Sequence, residues 1–251
     1  MPVNVFGVPP DMDAFEDIGR RHNIPILYDS AQGLGAMYRG RYHGGFGAAE
    51  CFSMSPTKVV TAVEGGIVTT NDDSLADEIR SMRDSGKNQD SSDIVRLGLS
   101  GRPSELHAAV AVAMFEQVEA LIARRMELFR WYREALAGIP GLSYQEIPDD
   151  VTTTGNYFVI LVDEAETRIS RDELYRELGR QKIQVKRYFY PALHLQEAYS
   201  DLRARYEGRL PVTEKASAQG IALPLFNSMR REDIERVATA VAGALGIRAL
   251  A

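Results

Sequence analysis

The sequence predicts an α/β fold, on three observations. Ile24 to Tyr28 is an almost continuous apolar run ending at Asp29, which reads as a strand covered by helices on both faces of a parallel sheet. Through the first half of the chain, stretches of helical spacing alternate with short strand-like runs, the pattern of βαβ units. The composition, 45% hydrophobic and 25% charged over 251 residues, is that of an ordinary globular protein long enough for a substantial core.

The elements follow in order. Asp11 to Arg21 spaces Met12, Phe15 and Ile18 along one helical face, with Asp11 as the cap after Pro9 and Pro10. The Ile24–Tyr28 strand is next, then strands at Cys51–Met54 and Gly66–Thr70, and a helix over Ser74–Met82. Asp84 to Gly101 is rich in Ser, Asp and Gly and reads as an exposed loop. Pro103 occupies a first helical position with Glu105 in the first turn. From there Leu106, Val110, Met114, Val118, Leu121, Phe129, Tyr132 and Leu136 form one apolar face of a long helix or of two closely spaced ones. Gly138 to Gly141 stops it. Beyond lie strands at Leu142–Ile147 and Asn156–Val162, and a helix over Ser170–Gln181 opened by the capping box Ser170 and Glu173. A strand at Ile183–Tyr188, a short one at Ile221–Leu225 and a helix over Arg231–Leu245 complete the reading. The change of grain at Gly138–Gly141 divides the chain into residues 1–140, a large α/β domain carrying the long helix, and residues 141–251, a smaller α+β domain.

Charge and cysteine content narrow the function. Twenty-nine basic against thirty-five acidic residues leave a net charge of −6, which argues against a nucleic-acid binder. One cysteine excludes an internal disulfide framework and fits a reducing compartment. Met1 to Val8 has neither a basic nor an apolar signal region, and the longest apolar run, Ala108–Phe115, is too short to span a bilayer. A cytoplasmic protein without membrane partners is expected.

Two residues carry the chemistry. Asp29 closes a predicted strand, where ligand contacts collect in open α/β sheets. Lys58 lies just past the next strand, after Ser53, Ser55 and Thr57 and with no charged residue again until Glu64. Alone, Asp29 reads as a turn or cap aspartate and Lys58 as a surface lysine. Together, an acid at one strand end and a lysine beyond the next match what pyridoxal phosphate (PLP) requires: a lysine for the Schiff base, a carboxylate to keep the pyridine nitrogen protonated, and hydroxyls for the phosphate. The glycines after Asp29 do not form a dinucleotide fingerprint, since Tyr38 stands at the third glycine position. His22, His43 and Cys51 are not spaced as a metal site, so none is expected.

Asp29-Ser-Ala-Gln32, Gly44-Gly-Phe-Gly47, Cys51-Phe-Ser53, Lys58, Glu64-Gly-Gly66, Gly98-Leu-Ser-Gly-Arg102 and Arg187-Tyr-Phe-Tyr-Pro191-Ala-Leu-His194 closely resemble the DegT/DnrJ/StrS-type sugar aminotransferases. The resemblance implies a partial fold-type I large domain, PLP as cofactor, and transamination of a nucleotide-linked keto sugar with glutamate as amino donor. It assigns Lys58 the Schiff base and proton transfer, Asp29 the pyridine nitrogen, Gln32 the ring 3-oxygen and Ser53 the phosphate. Ser100 stands where relatives carry an Asn that reaches a dimer neighbour's phosphate, and His194 falls where the family implies a sugar contact, the alternative being a loop histidine. Tyr188, at a strand end, reads as lining a substrate pocket or as a core aromatic. Val63 replaces a glycine that many relatives carry before Glu-Gly-Gly. The family pattern begins upstream of Met1, so the resemblance also implies a homodimer or a partner chain supplying that segment. The rival expectation is a non-catalytic remnant, or half of a split enzyme.

Overall fold

The structure, a computed structural model, describes residues 1–247. Its contacts form two compact units: Met1–Ala123 with Ile147–Asn156, and Arg124–Glu146 with Tyr157–Ala251. The sequence placed one boundary at Gly138–Gly141. In the structure the change of unit falls earlier, inside a helix, because Leu128, Tyr132 and Leu136 are buried in the core of the second unit. The stretch 147–156 then returns to the first unit.

In the first unit, helix α1 (Met12–His22) begins where the Asp11 side chain accepts from Ala14 N–H, and ends at Asn23 in the left-handed conformation. Strand β1 (Leu27–Asp29) is shorter than the apolar run that announced it. Ile24 and Leu27 are exposed, because the Ile24 N–H still bonds Gly19 O and continues the helix exit. Residues Met37–Tyr38 (β2) and Arg41–Tyr42 (β3) form a hairpin. Its turn, Arg39-Gly40, has both φ angles positive, as a two-residue hairpin with the native twist requires.

Strand β4 (Ala49–Ser53) pairs parallel with β1, and β5 (Gly66–Thr69) pairs antiparallel with β4. The sheet is therefore mixed and not parallel throughout. On the far side of β1, Pro2 to Asn4 adds a short parallel neighbour, with Asp29 N–H bonding Pro2 O and Asn4 N–H bonding Asp29 O, both at 2.9 Å. Helix α2 (Asp73–Arg83) is capped by Asp72, and α3 (Glu105–Phe115) by Ser104. Of the two readings, one long helix or two closely spaced ones, the structure has the second: α3 stops before Glu116–Gln117 and α4 (Val118–Ala135) follows. One small core gathers Met12, Tyr28, Tyr38 and Phe46; another gathers Met54, Val60 and Ala62 against Ile67, Ala111 and Met114. The Asp84–Gly101 stretch is mostly exposed and lacks regular elements.

The second unit is built on an antiparallel sheet. Strand β6 (Leu142–Tyr144) lies in that sheet; β7 (Val151–Thr152) instead pairs with β2 in the first unit. Strand β8 (Phe158–Val162) is central, and short α5 (Glu164–Thr167) follows it. Helix α6 (Arg171–Arg180) has the predicted Ser170/Glu173 capping box. Helices α7 (Ser200–Tyr206) and α8 (Pro211–Gln219) lead to β9 (Gly220–Leu223) and α9 (Arg231–Ala244). The sheet order is β6-β8-β9, with the Tyr132 ring stacked on Phe158 at 4.6 Å. Ile183–Tyr188 is not a strand: only Lys186 bridges to Ala222, while Ile183 and Val185 turn into the core. Arg125 is buried; its guanidinium donates to Asn227 Oδ1 and Leu225 O. Burial lowers its pKa to about 10.

Candidate functional site

Three parallel segments end on one edge of the first unit's sheet: Pro2–Asn4, β1 and β4. In an α/β sheet the loops beyond such carboxyl ends are where ligands collect, and four of the candidate residues are there. Asp29 is the last residue of β1 and lies opposite Cys51 on β4. Its Oδ1 accepts from Ala31 N–H at 3.0 Å, and among the described residues no partner is recorded for Oδ2. Cys51 is held inert as a thiol: burial raises its pKa, and the charges of Asp29 and Glu50 add to the rise.

Gln32 follows in the loop after β1. Its Oε1 accepts from Phe6 N–H at 2.6 Å, which fixes the amide so that its NH₂ end remains a donor. Ser53 ends β4, and its Oγ accepts from Ser55 N–H at 3.3 Å, leaving the hydroxyl proton to be donated elsewhere. Lys58 stands in the turn beyond β4, half-buried, with its backbone N–H on Ser55 O. Among the described residues its amine makes no ion pair.

The structure thus places Asp29 and Ser53 at the ends of two neighbouring strands and Gln32 and Lys58 on the loops that follow them. The other predicted residues lie elsewhere. Ser100 is in the first unit, on the exposed 84–100 loop, bridged to Asp84. Tyr188 and His194 belong to the second unit. The Tyr188 ring meets Tyr157 edge-on at 4.9 Å and stacks on Phe189. His194 is buried, with Nε2 3.1 Å from Glu214 Oε1.

Behind Asp29 lies a polar cluster that the sequence reading missed. The Glu50 and His43 side chains are fully buried, with His43 Nδ1 3.0 Å from Glu50 Oε2. Ser30 Oγ donates to the same carboxylate at 2.8 Å, Gly44 and Phe46 N–H bond its other oxygen, and Asn4 Nδ2 donates to Ser30 Oγ. Burial alone would raise the Glu50 pKa. The hydrogen bonds from His43, Phe46, Gly44 and Ser30 outweigh it and hold the carboxyl below its usual range. This cluster locks the start of the loop that carries Gln32. Its members lie up to 46 positions apart, and no local pattern marks them.

PLP fits the chemical character of the edge. A protonated ring nitrogen needs an acceptor, which Asp29 Oδ2 supplies. Oxygens of the ring and the phosphate need donors, which Gln32 and Ser53 supply. A carbonyl carbon needs an unpaired amine, which Lys58 supplies.

The sequence profile of the DegT/DnrJ/EryC1/StrS aminotransferase family matches residues 1–242. Among solved structures, the chain is similar to a DegT DnrJ EryC1 StrS aminotransferase from Brucella abortus (28% identity, TM-score 0.87, 97% of this chain and 63% of that one). It is similar to DesV of S. venezuelae, solved in complex with a ketimine intermediate (31%, 0.88, 97% and 64%). It is also similar to DesI, solved in the presence of its TDP-sugar product (31%, 0.87, 96% and 62%). The chain spans less than two thirds of the length of these three structures. With the ordered motifs lying on a fold-type I framework, this chain belongs to the DegT/DnrJ/EryC1/StrS aminotransferase family.

Proposed function

We propose that this chain holds PLP through Lys58 and serves the transfer of an amino group, from glutamate, to a keto sugar carried on a nucleotide, as part of a homodimer. One observation carries the reading. Lys58 is half-buried and unpaired just past the end of β4, beside the strand that ends in Asp29. The TDP-sugar product of DesI motivates the nucleotide-linked substrate.

PLP, when bound, supplies an electron sink for the bond broken at the amine-bearing carbon. Asp29 keeps a proton on the ring nitrogen, Gln32 donates to the ring oxygen and Ser53 to the phosphate. Lys58 would take the proton from the amine-bearing carbon and deliver it to the carbon on the other side of the nitrogen. Ser100 is assigned to the neighbouring copy's phosphate, and Tyr188 to the sugar side. The pair with Glu214 orients the His194 ring and leaves Nδ1 for a sugar hydroxyl.

The test is reductive trapping. Protein mixed with PLP and reduced with borohydride should carry its label on the Lys58 peptide, and Lys58→Ala should lose both label and amino transfer. Asp29→Asn should keep the label while slowing transfer by about 10²–10³-fold, because the ring proton matters most where carbanionic charge develops. Label confined to Lys87, Lys182, Lys186 or Lys215 overturns the assignment.

A further inference from the structure

The returning segment of the first unit touches both loops that carry the candidate site. After β7 pairs with β2, Thr153, Thr154 and Asn156 are almost completely buried. The Thr154 hydroxyl donates to the backbone carbonyl of Gln32 at 2.8 Å. Asn156 Oδ1 accepts from the backbone N–H of Val59, the residue after Lys58, at 3.1 Å. Packing at the Thr154 end is close: a Cβ on Gly7, whose φ is +89°, would lie 2.3 Å from Thr154 Oγ1. Two side chains two residues apart therefore tie the loop after β1 and the turn after β4 to one buried stretch of backbone.

The Asn156 amide does more than accept a bond. Its Nδ2 is buried with no acceptor among the described residues; an aspartate would remove that unpaired donor and still accept from Val59 N–H, but would bury a charge, which costs more than the unmade bond. A carboxylate would also set a negative charge beside the turn that presents Lys58. That charge would favour the ammonium form over the amine that a carbonyl requires. The neutral amide holds the turn without that effect.

We infer that Asn156 is a positioning residue for Lys58. Through Val59 N–H it fixes the turn from which Lys58 projects, and together with Thr154 it sets that turn against the Gln32 loop. The inference rests on the proposal that Lys58 carries the cofactor.

The experiment is trapping with PLP and borohydride on the whole chain, mapped over its five lysines, alongside thermal melts without PLP. Asn156→Ala should stay folded and lower the Lys58 share of the label about fivefold, the equilibrium worth of one typical hydrogen bond. Asn156→Asp keeps the acceptor: Lys58 should remain the labelled lysine, with its yield moved to more alkaline buffer. Ser170→Ala, which loosens a helix cap in the second unit, should lower the melt and leave the Lys58 share unchanged. A wild-type protein without label on Lys58 removes the cofactor reading and this inference with it. A labelled wild type with an equally labelled, folded Asn156→Ala overturns the inference alone. Should Asn156→Ala not fold, an Asn156→Asp profile identical to wild type overturns it as well.

Discussion

Glu50 is a fully buried carboxylate that accepts from two backbone N–H groups and a serine hydroxyl and faces a histidine, so its ionisation is coupled to folding. Its folded pKa lies below its unfolded value. Its stabilising contribution is therefore fully present above the unfolded value, near 4.3, and is lost as pH falls through the lower folded one. Melts across that acid window should show wild type losing stability and Glu50→Gln losing less over the same range. Glu50→Ala, which strands His43, Ser30 and two N–H groups, should cost about 3–5 kcal/mol at neutral pH. A flat difference between wild type and Glu50→Gln across the window would sink this account. The positions of Asp29 at a strand end and of Lys58 just past the next strand were legible in the sequence, because the apolar runs before them mark the strands. Glu50 and His43 were not, since each alone reads as a surface polar residue. Asn156 was read as part of a strand, and only the fold brings it to Val59.

At the scale of elements, side-chain caps were the readable signal: Asp11 and the Ser170/Glu173 box sit where the sequence put them. Strand extents were not readable, because the Ile24–Tyr28 and Ile183–Tyr188 runs spend half their residues on a helix exit or on core contacts outside any ladder. The turn between Lys58 and β5 holds one strained residue. Val63 has φ +66° and is half exposed, a conformation that costs a side-chain-bearing residue about 1–2 kcal/mol. Val63→Gly relieves that strain and loses about 0.4–1 kcal/mol through the freer unfolded chain. A net gain of about 1 kcal/mol should raise the melting temperature by about 2–4 °C. A lower melting temperature for Val63→Gly would refute the strain.

At the scale of the molecule, α3 has an apolar sequence yet no buried residue. Leu106 is 80% exposed and Val112 61%, and with Phe115 and His107 the helix borders a cavity of about 490 Å³ that reaches Met54 and Ile67. Contiguous exposed apolar side chains of this kind mark a surface that a partner covers. We expect a second copy of the chain to cover it. Light scattering should give twice the chain mass for wild type, and Leu106→Glu should shift the population toward the monomer. A wild type that is monomeric at micromolar concentration, with a cooperative melt and no binding of hydrophobic dyes, would count against the dimer. The apolar periodicity of this helix was legible in the sequence, but what covers it was not, since periodicity alone does not say what lies opposite.

The return of residues 147–156 to the first unit sets an order of events during synthesis. A growing chain that has emerged only as far as Ala123 holds α1, the β2–β3 hairpin, the strands of the mixed sheet and α3, but neither β7, the second partner of β2, nor the anchors of the Gln32 and Lys58 loops. Those arrive only with Asn156, after the ribosome has also delivered the opening helix and first strand of the second unit. At about 5–20 residues per second this leaves the incomplete unit waiting for several seconds. In that interval the edge of β2 that β7 later covers is open to chaperones and to other nascent chains. Translation pauses between Ala123 and Asn156 should therefore leave the first unit more open to protease than pauses placed after Asn156.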